Sequence, residues 1–194
     1  EFVKSGGYAS PQYWSEDGWA WRSFRNTKWP HFWERTGPQG VHEYSLRLPF
    51  DEVPLPLDLP AEVNKHEAHA YCKWLSNETN QQLRLPTECE YHLMLEANNG
   101  CTLAKARENE AVDDVATMGA KELSHTSLNA NLAWGSPSSV YDGQAPFSGL
   151  RGNSWEYCED WFAALPGYET HPLYEDFSTP CFDGQHALIL GGSF

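Results

Sequence analysis

The chain has no long apolar run, no closely spaced pair of cysteines and no excess of basic residues. Without about 18 consecutive apolar residues, no segment can cross a membrane as a helix. The 13 Lys and Arg against 27 Asp and Glu give a formal net charge of −14, which argues against nucleic acid and anionic membrane surfaces as partners. No signal peptide and no internal repeat is visible. We therefore expect neither a nucleic-acid-binding nor a membrane protein.

The cysteines are odd in number and carry no CxxC motif. They lie at Cys72, Cys89, Cys101, Cys158 and Cys181. This pattern indicates reduced thiols in a cytoplasmic protein, each acting as a small buried hydrophobic residue. A zinc site is not expected, because no close Cys or His pair is followed by a second pair.

Aromatic residues are abundant, at 14% of the chain with nine Trp. Rigid planar groups in this number are typical of a compact core joined by much irregular backbone. The first 36 residues interleave five Trp with basic residues, a pattern also used to bind single-stranded nucleic acid, which the strongly negative charge disfavours. We expect turns and short helices here, with one helix that begins after Ser15 and passes through Phe24.

Capping patterns predict two further helices. Asn64 and Glu67 form a capping box at the start of a helix over 65–76. His66 and His69 lie three apart on that helix, and we interpret them as a surface pair rather than as metal ligands. Thr87 starts a second capping box, completed three residues later, and its helix continues to about residue 97.

Two strands and an extended segment complete the first half of the chain. Alternation predicts a strand over 44–48, and the prolines predict turns and polyproline-like coil over 50–60. A second strand is expected over 83–86, where proline stops it. We further expect Arg84 to form a buried charged network with the acidic residues that follow it. Residues 98–128 are expected to form a variable loop with some helix.

The stretch over 150–162 concentrates aromatics, carboxylates, Asn and Gly, and neither strand nor helix periodicity fits it. Gly152 and Asn153 tolerate positive φ and predict a turn. An irregular strand would follow, with buried aromatic rings and with oxygens directed elsewhere. A core strand with solvated acids is the alternative.

Three motifs in this order resemble those of the formylglycine-generating enzyme (sulfatase-modifying factor) superfamily. Residues 151–157 (RGNSWEY) resemble its Gly-Asn-Val-Trp-Glu-Trp signature, and residues 83–91 (LRLPTECEY) resemble its Arg-Leu-Pro-Thr-Glu-Ala-Glu-Trp motif. The third motif is formed by residues 191–194 (GGSF). The resemblance implies an α/β (α+β) fold related to C-type lectins, with residues 1–194 as a single domain truncated at both ends.

The same resemblance implies structural calcium sites. Residues 129–132 (NANL) are similar to a family motif that supplies calcium ligands, and Asn153 and Glu156 match a second position. Asn131, Asn153 and Glu156 are therefore candidate metal ligands, since calcium prefers hard oxygen donors. Hydrogen-bonded turn residues are the alternative interpretation.

Residues 165–184 (LPGYETHPLYEDFSTPCFDG) closely resemble a stretch of the 5-histidylcysteine sulfoxide synthases, the iron enzymes of ovothiol biosynthesis. Residues 1–8, 14–19 and 60–64 resemble the same enzymes. The resemblance implies an oxidoreductase that joins the sulfur of cysteine to the histidine imidazole with oxygen and non-haem iron(II). It assigns Tyr174 as the catalytic residue that assists the oxidation. A loop aromatic packed on the sheet is the alternative role for Tyr174.

No His in the chain has the His-x-x-x-His-x-Glu spacing with which that family holds iron. The resemblance places the iron ligands in a preceding helical-bundle domain, so we expect the chain to be an inactive fragment by itself. An ergothioneine-type sulfoxide synthase, which uses trimethylhistidine, is an alternative. A non-catalytic lectin-like binding module is another. A formylglycine-generating enzyme proper would need two Cys soon after Phe194.

Overall fold

A computed structural model describes residues 1–99, 129, 135–141 and 147–193. It divides into two compact units, Glu1–Leu85 and Pro86–Phe194. The expectation of a single domain over 1–194 remains a prediction. The described elements are three α-helices, three short 3-10 helices and five short strands in two antiparallel sheets, so the fold is mixed α/β with much irregular backbone, as predicted.

Helix α1, Glu16–Arg25, begins at the residue that the sequence indicates. The Ser15 hydroxyl accepts a hydrogen bond from the Gly18 amide at 3.1 Å, which satisfies one of the unpaired donors of the first turn. The helix ends at Asn26, which adopts a left-handed conformation with φ 51°. A Cβ at Gly18 would lie 3.2 Å from the Cβ of His66, so this helical glycine allows α1 to approach the next helix closely.

Helix α2, Lys65–Thr79, extends three residues beyond the predicted end at 76. Both halves of the capping box are present: Asn64 Oδ1 accepts from the Glu67 amide at 3.0 Å, and Glu67 Oε2 accepts from the Asn64 amide at 2.8 Å. His69 and His66 are half-buried, and the His66 ring packs against Trp21. The expectation that they lie on the surface is therefore wrong, because the His66 ring packs on Trp21 of α1; that they bind no metal stays a prediction.

The core of the N-terminal unit is aromatic. Its buried members are Phe2, Tyr8, Trp14, Ala70 and Trp74. The Tyr8 hydroxyl donates to Glu67 Oε1 at 2.6 Å inside this core. Burial raises the pKa of Glu67, although the hydrogen bond from Tyr8 opposes the shift. The capping carboxylate of α2 therefore also binds the segment that precedes α1.

A three-stranded antiparallel sheet forms from β1 (Trp33–Arg35), β2 (Tyr44–Arg47) and β3 (Glu52–Pro54), in that order. Strand β2 was predicted, whereas β1 was not. The prediction of coil throughout 50–60 is wrong at β3, which pairs with β2. Pro54 is tolerated because β3 is an edge strand, where the missing amide donor costs little.

The strand predicted over 83–86 is not formed. Instead, the Leu83 amide donates to the Ser76 hydroxyl at 3.0 Å, and that hydroxyl lies 3.3 Å from the Leu83 carbonyl. Hydrogen bonds to a residue of α2 thus take the place of β-sheet pairing in this segment. Arg84 is exposed and donates to the Leu85 carbonyl at 2.8 Å, so the expectation that Arg84 is buried is also wrong.

Helix α3, Glu88–Asn99, begins with the predicted capping box. The Thr87 amide donates to Glu90 Oε2 at 2.8 Å, and the Glu90 amide donates to Thr87 Oγ1 at 3.2 Å. In addition, Asp160 Oδ2 accepts from the Glu88 amide at 2.6 Å. A carboxylate in this place also interacts favourably with the positive end of the helix dipole.

Strand β4, Glu156–Trp161, pairs with β5, Ala187–Leu190, through an irregular register. The buried core of this unit is Tyr91, Cys158 and Leu188. Burial of the motif's aromatics was predicted, but Trp155 is 55% and Trp161 48% exposed. Cys158 fills the core position because the small thiol fits between strand and helix, whereas Cys89 is exposed on α3 and contradicts the prediction for its thiol.

Candidate functional site

A buried carboxyl group lies at the start of β4. Glu156 Oε2 has no hydrogen-bond partner among the described residues, and a Cβ at Gly191 would overlap it. Burial raises the pKa of Glu156 to about 8, although hydrogen bonds from its own amide and from Ser154 oppose the shift. Glycine at 191, with φ 102°, is therefore needed both for its backbone conformation and for the space that the carboxyl group occupies.

Tyr91 lies beside this group and is 3% exposed. Its hydroxyl donates to the Leu150 carbonyl. Burial, followed by the charge of Glu156, raises the pKa of Tyr91 to about 12, while Arg151 acts in the opposite direction. The phenol and the carboxyl group thus share a buried environment in which two neighbouring negative charges are disfavoured.

Asn153 occupies the turn before β4 with φ 63°, as the sequence predicts. Its Oδ1 accepts hydrogen bonds from Asn129 Nδ2 at 3.0 Å, the Ser138 amide at 2.7 Å and the Ser138 hydroxyl at 3.2 Å. Its Nδ2 donates to the Ser138 carbonyl at 3.1 Å. This buried side chain therefore joins three separate segments of the unit.

These contacts decide how well the predicted calcium ligands fit an ion. Asn153 does not fit, because its only side-chain oxygen already accepts three hydrogen bonds. Glu156 does fit, since it offers a buried oxygen without a partner, and Asn129 Oδ1 is a second such oxygen among the described residues. Asn131 lies outside the described residues. Calcium binding at Glu156 therefore stays a prediction.

Tyr174 lies in a segment of consecutive turns and is 62% exposed. Its amide donates to the His171 carbonyl at 2.8 Å, and its own carbonyl accepts from the Phe177 amide at 3.1 Å. Thr170 Oγ1 and Thr179 Oγ1 are 3.2 Å apart and join the two ends of the segment. The chain thus presents a phenol to solvent on a hydrogen-bonded backbone. Its catalytic role remains a prediction.

A carboxylate–imidazole pair that was not expected from the sequence follows this segment. Asp183 Oδ1 lies 2.9 Å from His186 Nδ1 and accepts from the amides of Gln185 and His186. The hydrogen bond with His186 and the bond from the Gln185 amide hold the pKa of Asp183 below its usual range. In the sequence, the Asp-x-x-His spacing beside a glycine could have indicated this pair. The pair fixes the orientation of an exposed imidazole.

The described residues do not fit an iron site. Over 1–99, 129, 135–141 and 147–193, no group of three or more His, Cys, Asp or Glu is placed so that it could hold a metal ion. No helix within these ranges is long and apolar enough to cross a membrane. The part of the chain that the structure describes thus provides oxygens, an exposed phenol and an oriented imidazole, but no transition-metal centre.

Comparison with known proteins matches residues 1–194 to the family described as the sulfatase-modifying factor enzyme 1-like domain. The chain belongs to this family. The capped helix α3, the turn at Asn153 and strand β4 that follows it coincide with the two central motifs on which the resemblance was first based. The relation of the sulfatase-modifying factor fold to C-type lectins remains a prediction.

Three curated relatives are each named hercynine oxygenase. The protein of Mycobacterium tuberculosis is 28% identical over 200 residues, and that of Mycolicibacterium smegmatis is 29% identical over 202 residues. The protein of Mycolicibacterium thermoresistibile is 28% identical over 204 residues. Each match covers 100% of this sulfatase-modifying factor-like chain but only 40% to 42% of the relative. The chain therefore spans about two fifths of the length of these relatives.

Proposed function

We propose that this chain is the sulfatase-modifying factor-like part of an oxygen-dependent sulfoxide synthase, an oxidoreductase that joins cysteine sulfur to the histidine imidazole. The segment that displays Tyr174 carries the proposal, because it places an exposed phenol on a hydrogen-bonded backbone and its sequence resembles that of the ovothiol enzymes. Family membership and the three hercynine oxygenases add support.

The proposed reaction balances as one thiol, one imidazole C–H and one dioxygen giving one sulfoxide and one water. Formation of the C–S bond supplies two electrons and oxidation of the sulfur supplies two more, so dioxygen accepts four. The two hydrogens lost from sulfur and carbon leave in the water. Iron(II), with ligands outside the described residues, would supply oxygen activation in the whole protein.

Tyr174 has the chemistry that one proton transfer in this reaction needs. A phenol is both a hydrogen-bond donor and a proton donor, and the turns on either side restrict where the Tyr174 backbone can lie. We assign the Tyr174 hydroxyl as the donor of a proton to an oxygen atom that leaves as water. The partners implied are histidine, cysteine, oxygen and an iron-binding helical bundle elsewhere in the longer protein.

An ergothioneine-type activity is the second candidate. The name shared by these three relatives, hercynine oxygenase, favours it, whereas the resemblance of residues 165–184 to the ovothiol enzymes favours histidine. The two candidates differ in the histidine substrate, since the ergothioneine-type enzymes use trimethylhistidine. Substrate choice therefore separates them directly.

The test uses the full-length protein, loaded with iron(II) without air and then given oxygen, cysteine and either histidine or trimethylhistidine. Mass spectrometry reads the products. We expect a histidine–cysteine sulfoxide, reduced at least about tenfold or replaced by oxidised cysteine in Tyr174→Phe. Tyr168→Phe is the matched control, because Tyr168 is 45% exposed in the same segment and packs on Phe182.

Three results would change or refute the assignment. Turnover with trimethylhistidine but not with histidine would place the protein in the ergothioneine branch. An iron-loaded protein that forms no sulfoxide from either substrate would refute the proposal, and a full-length protein that binds no iron would leave a non-catalytic binding module.

A further inference from the structure

His171 makes three contacts around Tyr174. Its carbonyl accepts from the Tyr174 amide at 2.8 Å, and its Nδ1 accepts from the Leu173 amide at 3.2 Å. Its ring packs against the Tyr174 ring with centroids 5.6 Å apart and an angle of 55° between the planes. One residue therefore contacts the backbone before Tyr174, the amide of Tyr174 and its aromatic ring.

The imidazole contact fixes the tautomer of His171. A backbone amide can only donate, so Nδ1 must be the unprotonated nitrogen and Nε2 carries the hydrogen. Pro172 follows directly, and a residue before proline is restricted toward extended conformations. The His171 side chain is thus held by its own backbone restriction and by the bond from Leu173.

The rest of the segment restrains the same region. The Thr170–Thr179 contact joins its two ends, and the Cys181 amide donates to the Ser178 carbonyl at 2.9 Å. Tyr174 itself is 62% exposed, so few neighbours restrict rotation of its side chain. The His171 ring is the one aromatic partner described for the Tyr174 ring among residues 1–99, 129, 135–141 and 147–193.

We propose that His171 is a positioning residue for Tyr174, orienting the phenol through both its ring contact and its imidazole–amide hydrogen bond. This inference rests on the proposed function in so far as Tyr174 donates a proton. Proton transfer requires a restricted donor geometry, and a displacement of about 1 Å can lower a rate about 100-fold. Loss of the orienting contacts should then lower kcat more than it changes KM.

Three substitutions separate the two contacts. His171→Phe keeps a ring but loses the acceptor, and His171→Asn keeps an acceptor for the amide two residues later but loses the ring. His171→Ala loses both. The full-length, iron-loaded protein is assayed for kcat, KM and the ratio of sulfoxide to oxidised cysteine. In parallel, 3-fluorotyrosine is incorporated at position 174 and its ¹⁹F resonance is recorded.

We expect His171→Ala to lower kcat about tenfold with KM within about twofold, and to move the ¹⁹F resonance toward that of free 3-fluorotyrosine. His171→Phe and His171→Asn should each recover part of both effects. The proposal is overturned if the resonance stays unchanged in His171→Ala, if it moves while kcat and the product ratio do not, or if neither partial substitution recovers anything.

The ¹⁹F measurement does not depend on turnover, which separates the two claims. Absence of sulfoxide from the wild-type protein would refute the proposed function, and the unchanged or altered ¹⁹F resonance would still report on the contact. A sulfoxide yield that depends on Tyr174 together with wild-type behaviour of all three His171 variants would leave the proposed function standing and remove His171 from it.

Discussion

Replacement of Glu156 by Gln tests the buried carboxyl group at the start of β4. Burial raises the pKa of Glu156 from the ordinary 4.5 to about 8 in the folded protein. Between these two values the folded protein holds a proton that the unfolded chain has released. The free energy of unfolding therefore falls as the pH rises through this window, and is fully retained below it.

The magnitude follows from the pKa difference. At about 1.4 kcal/mol for each pH unit, a rise from 4.5 to about 8 corresponds to about 5 kcal/mol as an upper limit. Although Oε2 itself is enclosed, Glu156 as a whole residue is only half-buried, so solvent screening lowers this to about 2 kcal/mol. Glu156→Gln keeps the size of the side chain and removes the proton equilibrium, so its stability should lack this part of the pH dependence.

The assay is urea unfolding of the full-length protein at several pH values from 5 to 9, in the presence of a chelator. We expect wild type to lose about 2 kcal/mol relative to Glu156→Gln across this range. Glu169→Gln, at an exposed position, is the matched control and should follow wild type. Equal pH dependence in wild type and Glu156→Gln would refute the reasoning.

The same unfolding experiment with calcium in place of the chelator tests metal binding. An ion bound by Glu156 favours the charged carboxylate and the folded state, so added calcium should stabilise wild type at pH 8. Glu156→Gln, with a neutral amide, should gain less. Equal stabilisation of both proteins, or of neither, would remove Glu156 from the predicted calcium ligands.

One further substitution in each unit tests a buried contact. Gly191→Ala should destabilise the protein by at least about 3 kcal/mol, because it adds a steric overlap with the buried carboxyl group to an unfavourable backbone conformation. The control Gly192→Ala, with φ 90° but open space around the new Cβ, should cost only about 1 to 2 kcal/mol. Equal losses of stability in urea unfolding would contradict this account. Tyr8→Phe leaves Glu67 Oε1 without its hydrogen-bond donor and should lower the free energy of unfolding by about 1 to 3 kcal/mol. The control Tyr71→Phe, at a residue that is 45% exposed, should lower it little. Equal melting temperatures of the two variants would show that the buried hydrogen bond contributes nothing.

Local chemistry made the helices predictable from the sequence. Ser15, Asn64 and Thr87 each cap a helix through atoms no more than three residues away, so neighbouring residues contain the necessary information. The turn at Asn153 was predictable for the same reason, because it depends on the left-handed conformation of one residue.

Pairing between separate elements explains the secondary structure that was missed. Strand β3 exists because β2 pairs with it, and the bonding of Leu83 to Ser76 replaces the strand expected there. Neither partner can be identified from periodicity. Trp155 and Trp161 were expected inside, but the small thiol of Cys158 takes the core position instead.

The candidate site was likewise predictable in its residue types but not in the contacts between its segments. Residue types predicted oxygen-rich chemistry near 153–156, but the saturation of Asn153 Oδ1 by three donors depends on Asn129 and Ser138. The raised pKa of Glu156 likewise depends on its burial, which no local pattern reports. Resemblance alone indicates Tyr174, and its contact with His171 is visible only in the structure.

The hydrogen bond between the Glu88 amide and Asp160 has a kinetic consequence. Its two residues are 72 positions apart, and closing a loop of this length costs about 4 kcal/mol of chain entropy. The capping box of α3 spans three positions and can form at once, whereas this carboxylate reaches the helix only when β4 docks. Helix α3 should therefore begin to form early and become fully capped late in folding.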